Sequence, residues 1–265
     1  MNGRPRTATA VLGLGLVFLY APIAVLIVYS FNASRLVAVW AGWSLHWYGE
    51  LFRNPRMLDA AVLSLSVAAT AATIALILGA FAGVAMARFA RFPGRVLFSG
   101  LLAAPLMLPE ILTGISLLLL FVALEAATGW PAERGFWTIA IAHATFGAAF
   151  VAVVVQARVA GLDRALEEAA ADLGAAPATV FRTVTLPLIV PALAAGWLLA
   201  FTLSLDDLVV ASFVSGPGAT TLPMLVYSSI RLGVSPQINA LSTLIVIVAS
   251  IAALAAARLL RLKEA

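Results

Sequence analysis

Long runs of apolar residues recur along almost the whole of this sequence. A helix that crosses a bilayer needs roughly 20 such residues, and six stretches reach that length. Of the 265 residues, 63% are hydrophobic and 11% are charged, whereas a soluble domain has about 25% charged residues. The composition therefore argues against a soluble enzyme, a nucleic-acid-binding protein and a disordered chain.

The apolar stretches predict an all-α membrane protein with six transmembrane helices. The predicted spans are 10–31, 58–87, 96–124, 136–157, 188–214 and 238–260. We expect a tail at 1–9, an aromatic-rich outer segment at 32–57 and a five-helix core at 58–265. The first stretch exceeds the roughly 7–15 residues of a signal-peptide core, so we interpret it as a retained span. Pro105 and Pro109 are expected to kink or break the third span.

The basic residues predict the orientation of the helices. Six spans place both termini on one side of the membrane. Eleven of the sixteen Lys and Arg residues lie in the tails and in the loops after the second and fourth spans. Because cytoplasmic loops carry the excess of basic residues, both termini and the 158–187 loop are predicted to be cytoplasmic. The net charge of +4 is then a topology signal, and we expect no nucleic-acid partner.

The 158–187 loop contains a helical pattern of its own. Asp163 suits an N-cap, Gly174 suits a C-terminal stop, and a second short helix is expected from Pro177 to about Val184. The apolar side chains expected to pack on the bundle are Ala169, Ala170, Leu173, Val180 and Phe181. The side chains expected to face water or a partner are Arg164, Glu167, Glu168, Asp172 and Arg182.

The spacing in this loop is that of a known motif. Glu168-Ala169-Ala170 is followed after three residues by Gly174, and after nine more by Val184-x-Leu186-Pro187. This resembles the loop of ABC-importer permeases, with Val184 in place of the family's Ile. The resemblance implies the type I ABC-importer permease fold and a coupling helix that docks on a cytoplasmic ATPase subunit. The coupling residues it implies are Glu167, Glu168, Ala169, Ala170, Asp172, Gly174, Leu186 and Pro187.

Other segments are similar to the polyamine permeases of this family. They include Tyr20-Ala-Pro22, Pro109-Glu110-Ile-Leu-Thr-Gly114 and the run from Gly196-Trp197 to Asp206-Asp207. The family usually has Asp at the position of Glu110. The resemblance implies a polyamine, with putrescine favoured and spermidine or another small solute as the alternative. It also implies the bacterial inner membrane, a second homologous permease subunit, two ATPase subunits and a periplasmic polyamine-binding protein.

The sequence has no phosphate-binding loop of the G-x-x-x-x-G-K-S/T kind. We therefore expect another chain to hydrolyse ATP, with ATP and Mg bound by the ATPase subunits, no cofactor in this chain and no catalytic residue. There is no Cys, and the two His are far apart, so no metal site is predicted. The chain is interpreted as a translocation subunit and not as an enzyme.

Three carboxylates fall inside apolar stretches, where a charge costs about 2.5–3.5 kcal/mol. They either cap helix ends or pair with neighbours, or they line a path for a cation. Adjacent residues on a helix point about 100° apart, so one of the two Asp is expected to face such a path. The predicted pathway residues are Glu110, Trp197, Ser204, Asp206 and Asp207. The alternative for Trp197 is a place in the core. For His143, the alternative to a role as a relay is a hydrogen bond to a neighbouring residue.

Two other functions compete with import. An intramembrane aspartyl protease needs two Asp on separate spans, whereas Asp206 and Asp207 are adjacent. A secondary transporter is expected to have broken helices in matching positions of two repeats, and the sequence predicts one broken stretch. A secondary transporter would also leave the motif in the 158–187 loop unexplained.

Overall fold

A computed structural model describes residues 6–36, 39–232, 236–248 and 250. Within these residues the structure is helical, and an isolated antiparallel bridge joins Asn32 to Trp43. The chain divides into two compact units, one formed from Met1–Leu58 and Val226–Ala265 and the other from Asp59–Leu225.

The helices follow the apolar stretches of the sequence. They are α1 (Arg6–Ser30), α2 (His46–Phe52), α3 (Pro55–Arg88), α4 (Arg95–Met107), α5 (Glu110–Thr128), α6 (Phe136–Ala160), α7 (Ala165–Asp172), α8 (Pro177–Val180), α9 (Leu186–Asp206), α10 (Val209–Val214), α11 (Leu222–Leu232) and α12 (Pro236–Val248). A π-helical turn, Phe181–Thr185, joins α8 to α9.

Five helices in the described residues are long and apolar enough to cross a membrane. They are Thr9–Ser30, Pro55–Arg88, Glu110–Thr128, Phe136–Ala160 and Pro177–Asp206. The predicted third span is broken between α4 and α5, where Leu108 and Pro109 have extended backbone. The predicted sixth span begins with α12, and its residues 251–260 lie outside the described part of the chain.

The fifth span differs from its prediction at both ends. Its helix already begins at Pro177, so the predicted separate helix from Pro177 to Val184 is the first part of the span. The Leu186 amide donates to the Phe181 carbonyl five residues back, directly before Pro187. Pro187 has no N–H and cannot donate the next helical hydrogen bond. The wider turn lies directly before this interruption in the hydrogen-bond pattern. The helix then ends at Asp206, and the Asp pair lies at a break instead of inside one helix.

Helix α6 is the centre of the larger unit because small residues let its neighbours approach closely. A Cβ atom added at Gly79 would lie 2.6 Å from the Ala148 carbonyl oxygen, and one added at Gly83 would lie 2.6 Å from that of Ala152. Such small-residue contacts are typical of helix packing in membranes. They fix α3 against α6, as the Ala- and Gly-rich second span predicts.

In the smaller unit, the buried Asn32 side chain organises the segment that follows α1. Its Nδ2 donates to the Val39 carbonyl at 2.7 Å, and its Oδ1 accepts from the Ala41 amide at 2.9 Å. Trp47 of α2 donates to the Asn32 carbonyl at 2.8 Å and is buried, whereas Trp43 is 72% exposed. The predicted aromatic segment therefore contains one anchoring indole and other rings suited to an interface.

Candidate functional site

The 158–187 loop forms the short helix that its sequence predicts. The Asp163 carboxylate accepts from the Ala165 amide at 2.9 Å at the start of α7. Gly174 has φ +84°, a left-handed conformation that favours glycine and ends a helix. Pro177 then occupies the first turn of α8. The predicted local roles of Gly174 and Pro177 are confirmed, whereas the N-cap position of α7 is occupied by Arg164, one residue after Asp163.

Glu167 faces its own chain. Its Oε1 lies 2.8 Å from Arg88 Nη2, at the end of α3, and accepts from Thr185 Oγ1 at 2.7 Å. The Arg88 and Glu167 side chains are 14% and 24% exposed. The expectation that Glu167 faces water or a partner is therefore wrong, because its carboxylate is already bound by two groups of this chain.

The opposite side of α7 is exposed. This α7 outer face consists of Glu168, Ala169, Asp172 and Leu173, and Leu173 is 90% exposed. The expectation that Leu173, Ala169 and Phe181 pack on the bundle is wrong, because all three are exposed, whereas Val180 is buried as predicted. Ala170 and Leu186 are half-buried, and Gly174 and Pro187 are exposed.

A second feature is an acidic cavity of about 380 Å³ in the larger unit. Two helix breaks supply its charged groups. Glu110 is the first residue of α5, where the positive end of the helix dipole favours a carboxylate, and Asp206 is the last residue of α9. The lining residues are Pro105, Leu106, Leu108, Glu110, Thr113, Phe146, Phe150, Leu203, Asp206, Asp207, Leu208, Val209 and Val210.

The two adjacent Asp residues differ in their surroundings. The Asp207 side chain is 6% exposed and caps α10, since its carboxylate accepts from the amides of Val210 at 3.3 Å and Ala211 at 2.7 Å. The carboxylate also lies 3.2 Å from Nε2 of His143. Asp206 is exposed. Asp207 is thus held by the protein, while Asp206 is exposed and lines the cavity.

His143 connects the two sides of this break to α6. Its Nδ1 lies 2.6 Å from Ser204 Oγ, and both residues are buried. With its proton on Nε2, the ring faces the Asp207 carboxylate and accepts from the Ser204 hydroxyl. The prediction that His143 is hydrogen-bonded to a neighbour is confirmed.

The structure brings together three of the five predicted pathway residues. Glu110, Asp206 and Asp207 line the cavity, whereas Ser204 is not among the described residues that line it and contacts His143. Trp197 is not among the described residues that line the cavity. Its indole donates to Thr73 Oγ1 at 3.1 Å and stacks on Phe201 with ring centroids 5.2 Å apart, which covers one ring face.

The sequence reasoning missed two aromatic residues of the cavity wall. Phe146 and Phe150 line it from α6, three and seven positions after His143. Residues at these spacings share one face of a helix. The spacing of the two Phe residues from His143 in the sequence therefore identifies this face of α6.

Comparison with known proteins shows which family this chain matches. The family model described as "Binding-protein-dependent transport system inner membrane component" matches residues 75–263. The chain is 63% identical over 235 residues to the putrescine transport system permease protein PotI of Escherichia coli (strain K12), which covers 89% of this chain and 84% of that protein. It is 44% identical over 238 residues to the spermidine/putrescine transport system permease protein PotC of the same strain, covering 90% and 88%.

Solved structures share the fold. A chain of a bacterial ABC transporter involved in the import of the acidic polysaccharide alginate has a TM-score of 0.73 at 17% identity, covering 97% of this chain and 99% of that chain. A chain of the MetNI methionine ABC transporter has a TM-score of 0.60 at 18% identity, covering 78% and 98%. Together with the helical architecture, these similarities confirm the predicted fold class, the type I permease fold.

Proposed function

The chain belongs to the family of binding-protein-dependent transport system inner membrane components, and from this premise we propose that it is the permease subunit of an ATP-driven polyamine importer. Putrescine is the favoured solute, and spermidine is the second candidate. The observation that carries this choice is the 63% identity to a putrescine transport permease, against 44% to a spermidine/putrescine permease.

The proposed complex supplies what this chain lacks. A second homologous permease subunit completes the pathway, and two ATPase subunits bind ATP and Mg in the cytoplasm. A periplasmic binding protein delivers the polyamine to the outer side of the inner membrane. The excess of basic residues in the tails and in the 158–187 loop supports an orientation with both termini in the cytoplasm.

The α7 outer face is the proposed contact with an ATPase subunit. Leu173 offers an apolar side chain that is 90% exposed, and the carboxylates of Glu168 and Asp172 flank it. A buried apolar contact with a charged rim is the usual anatomy of a protein interface. Leu186 and Pro187 are the first residues of α9, directly after the π turn, so movement of α7 would be passed to α9.

The acidic cavity is the proposed passage for the polyamine. Putrescine is a short aliphatic chain with an ammonium group at each end. The carboxylates of Glu110 and Asp206 would offset part of the cost of removing those ammonium groups from water, and the apolar lining suits the methylene chain. Binding must remain weak, because a translocated solute has to leave.

Both carboxylates lie at helix breaks, where the helices on either side can move relative to each other when the pathway opens or closes. A shift between outward-open and inward-open states requires that the solute interact differently with the two states. Glu110 begins α5 and Asp206 ends α9, so a movement of either helix would change the distance between the carboxylates. In this proposal Ser204 and Asp207 act indirectly, by holding the break beside Asp206.

The test is ATP hydrolysis by the complete complex in lipid nanodiscs, with the binding protein added empty or loaded. We expect putrescine-loaded binding protein to stimulate hydrolysis, spermidine-loaded protein to stimulate it less, and the empty protein to have little effect. The purified chain alone, as control, should hydrolyse no ATP. If neither polyamine stimulates the complex, the proposed substrate class is wrong.

A further inference from the structure

One carboxylate joins three separate parts of the larger unit at the 158–187 loop. Glu167 of α7 contacts Arg88 Nη2 at the end of α3, at 2.8 Å, and Thr185 Oγ1 in the π turn, at 2.7 Å. A weaker contact supports the same junction, since Arg164 Nη2 donates to the Arg88 carbonyl at 3.4 Å. We call Arg88, Glu167 and Thr185 the α7 anchor.

The burial of the α7 anchor makes it more than a surface ion pair. Exposed pairs contribute about 0–1 kcal/mol, whereas hydrogen bonds to a charged group in a partly dry site are stronger. Thr185 is 4% exposed, and the two charged side chains are 14% and 24% exposed. Breaking one contact would leave a carboxylate or a guanidinium half-buried without its partner.

Two neighbouring acidic residues of α7 point in different directions. Glu167 is turned inward to Arg88, whereas Glu168 is exposed on the α7 outer face. Successive residues of a helix point about 100° apart, so one short helix can bind a partner on one side and its own subunit on the other. Glu167 is therefore not available for docking while the anchor is formed.

The helices held by the anchor lead to the cavity. Helix α3 packs closely on α6 through Gly79 and Gly83, and the π turn continues into α9, which ends at Asp206. A movement of α7 is transmitted to α3 and α9 only if α7 is attached firmly to both helices. Without the anchor, the covalent connections at the two ends of α7 would remain.

We propose that Glu167 is a positioning residue that makes α7, the end of α3 and the start of the fifth span move as one body. This inference rests on the proposed function, in which an ATPase subunit moves α7. Its role is transmission: loss of the anchor would uncouple ATP hydrolysis from transport while leaving the α7 outer face in place for docking.

The first test measures polyamine uptake per ATP hydrolysed in proteoliposomes containing the complete complex. We expect Glu167→Ala and Arg88→Ala to lower this ratio by about tenfold, the effect of losing a hydrogen bond to a charged group. ATPase subunits should still co-purify with both variants. An unchanged ratio in Glu167→Ala would overturn the proposal.

A charge exchange separates transmission from simple loss of structure. The double variant Arg88→Glu/Glu167→Arg places opposite charges at the same two positions, and we expect it to regain most of the ratio lost in the single variants. If the single variants fail to assemble, recovery of assembly and coupling in the double variant still supports the pair. A double variant that regains neither contradicts it.

Two threonines provide a matched pair for the second contact. Thr185→Val removes the hydroxyl that donates to Glu167, whereas Thr183→Val removes an exposed hydroxyl that donates to the Thr179 carbonyl of its own helix. We expect the ratio to fall in Thr185→Val only, and equal ratios would refute the role of Thr185. If the unmodified complex shows no ATP-driven uptake of a polyamine, the proposed function is wrong. If the unmodified complex transports a polyamine and every anchor variant does so equally well, only the role of the α7 anchor is wrong.

Discussion

The two adjacent carboxylates at the end of α9 should respond differently to the same substitution. Asp207→Ala removes a buried carboxylate that accepts two amide hydrogen bonds at the start of α10 and lies 3.2 Å from His143. Asp206→Ala removes an exposed carboxylate of the cavity. We predict that the first change lowers stability and that the second lowers transport.

The magnitude follows from the contacts that are lost. Removal of a side chain that caps a helix costs about 1 kcal/mol, and a buried polar group left unpaired, here the amide of the buried Ala211, costs about 1–3 kcal/mol. The sum for Asp207→Ala is roughly 2–4 kcal/mol. For a chain of this size, that lowers the thermal midpoint by roughly 5–15 °C.

The assay compares thermal midpoints of purified complexes that carry either Asp variant, prepared in the same lipid and heated at the same rate. Asp206→Ala should leave the midpoint within about 2 °C, because an exposed substitution usually changes stability by less than about 0.5 kcal/mol. Equal midpoints for the two variants, or a larger fall for Asp206→Ala, would refute the assignment of Asp207 to structure and of Asp206 to the cavity.

Three further predictions concern packing, docking and the solute. Gly79→Val should reduce the yield of folded protein, because a Cβ there meets the α6 backbone at 2.6 Å and overpacking costs about 1–3 kcal/mol; Gly100→Val, where nothing lies within 4 Å, is the control, and equal yields would contradict the packing argument. Glu168→Lys should abolish co-purification of the ATPase subunits while the subunit still inserts in the membrane, and normal uptake in this variant would exclude docking through the α7 outer face. Asp206→Asn should raise the KM for putrescine uptake about tenfold, as expected for the loss of one charged contact, and an unchanged KM would remove Asp206 from the pathway.

The sequence predicted the features of the fold that depend on local patterns. The long apolar stretches predicted the membrane-spanning helices because their length must match the bilayer. Gly174 and Pro177 predicted the end of α7 and the beginning of α8 because each has a particular backbone preference. Pro105 and Pro109 predicted a kinked or broken third span, which the structure shows as a break after α4.

The features that were missed depend on contacts between distant residues. The direction of Glu167 is set by Arg88, which precedes it by 79 residues, and no pattern within α7 indicates it. The sequence predicts one continuous helix through Asp206 and Asp207 because apolar residues flank the pair on both sides. His143, on another helix, contacts Ser204 before the break and Asp207 within it, and it is 61 residues from Ser204 in the sequence.

The role proposed for this chain is to form part of the membrane pathway of an importer for putrescine. Its most direct test is uptake of radiolabelled putrescine into proteoliposomes that contain the complete complex and the loaded binding protein. We predict that putrescine accumulates only with ATP, that excess spermidine reduces the accumulation, and that it is lost when this subunit is omitted. ATP-dependent accumulation of an amino acid or a sugar, with none of putrescine or spermidine, would contradict it.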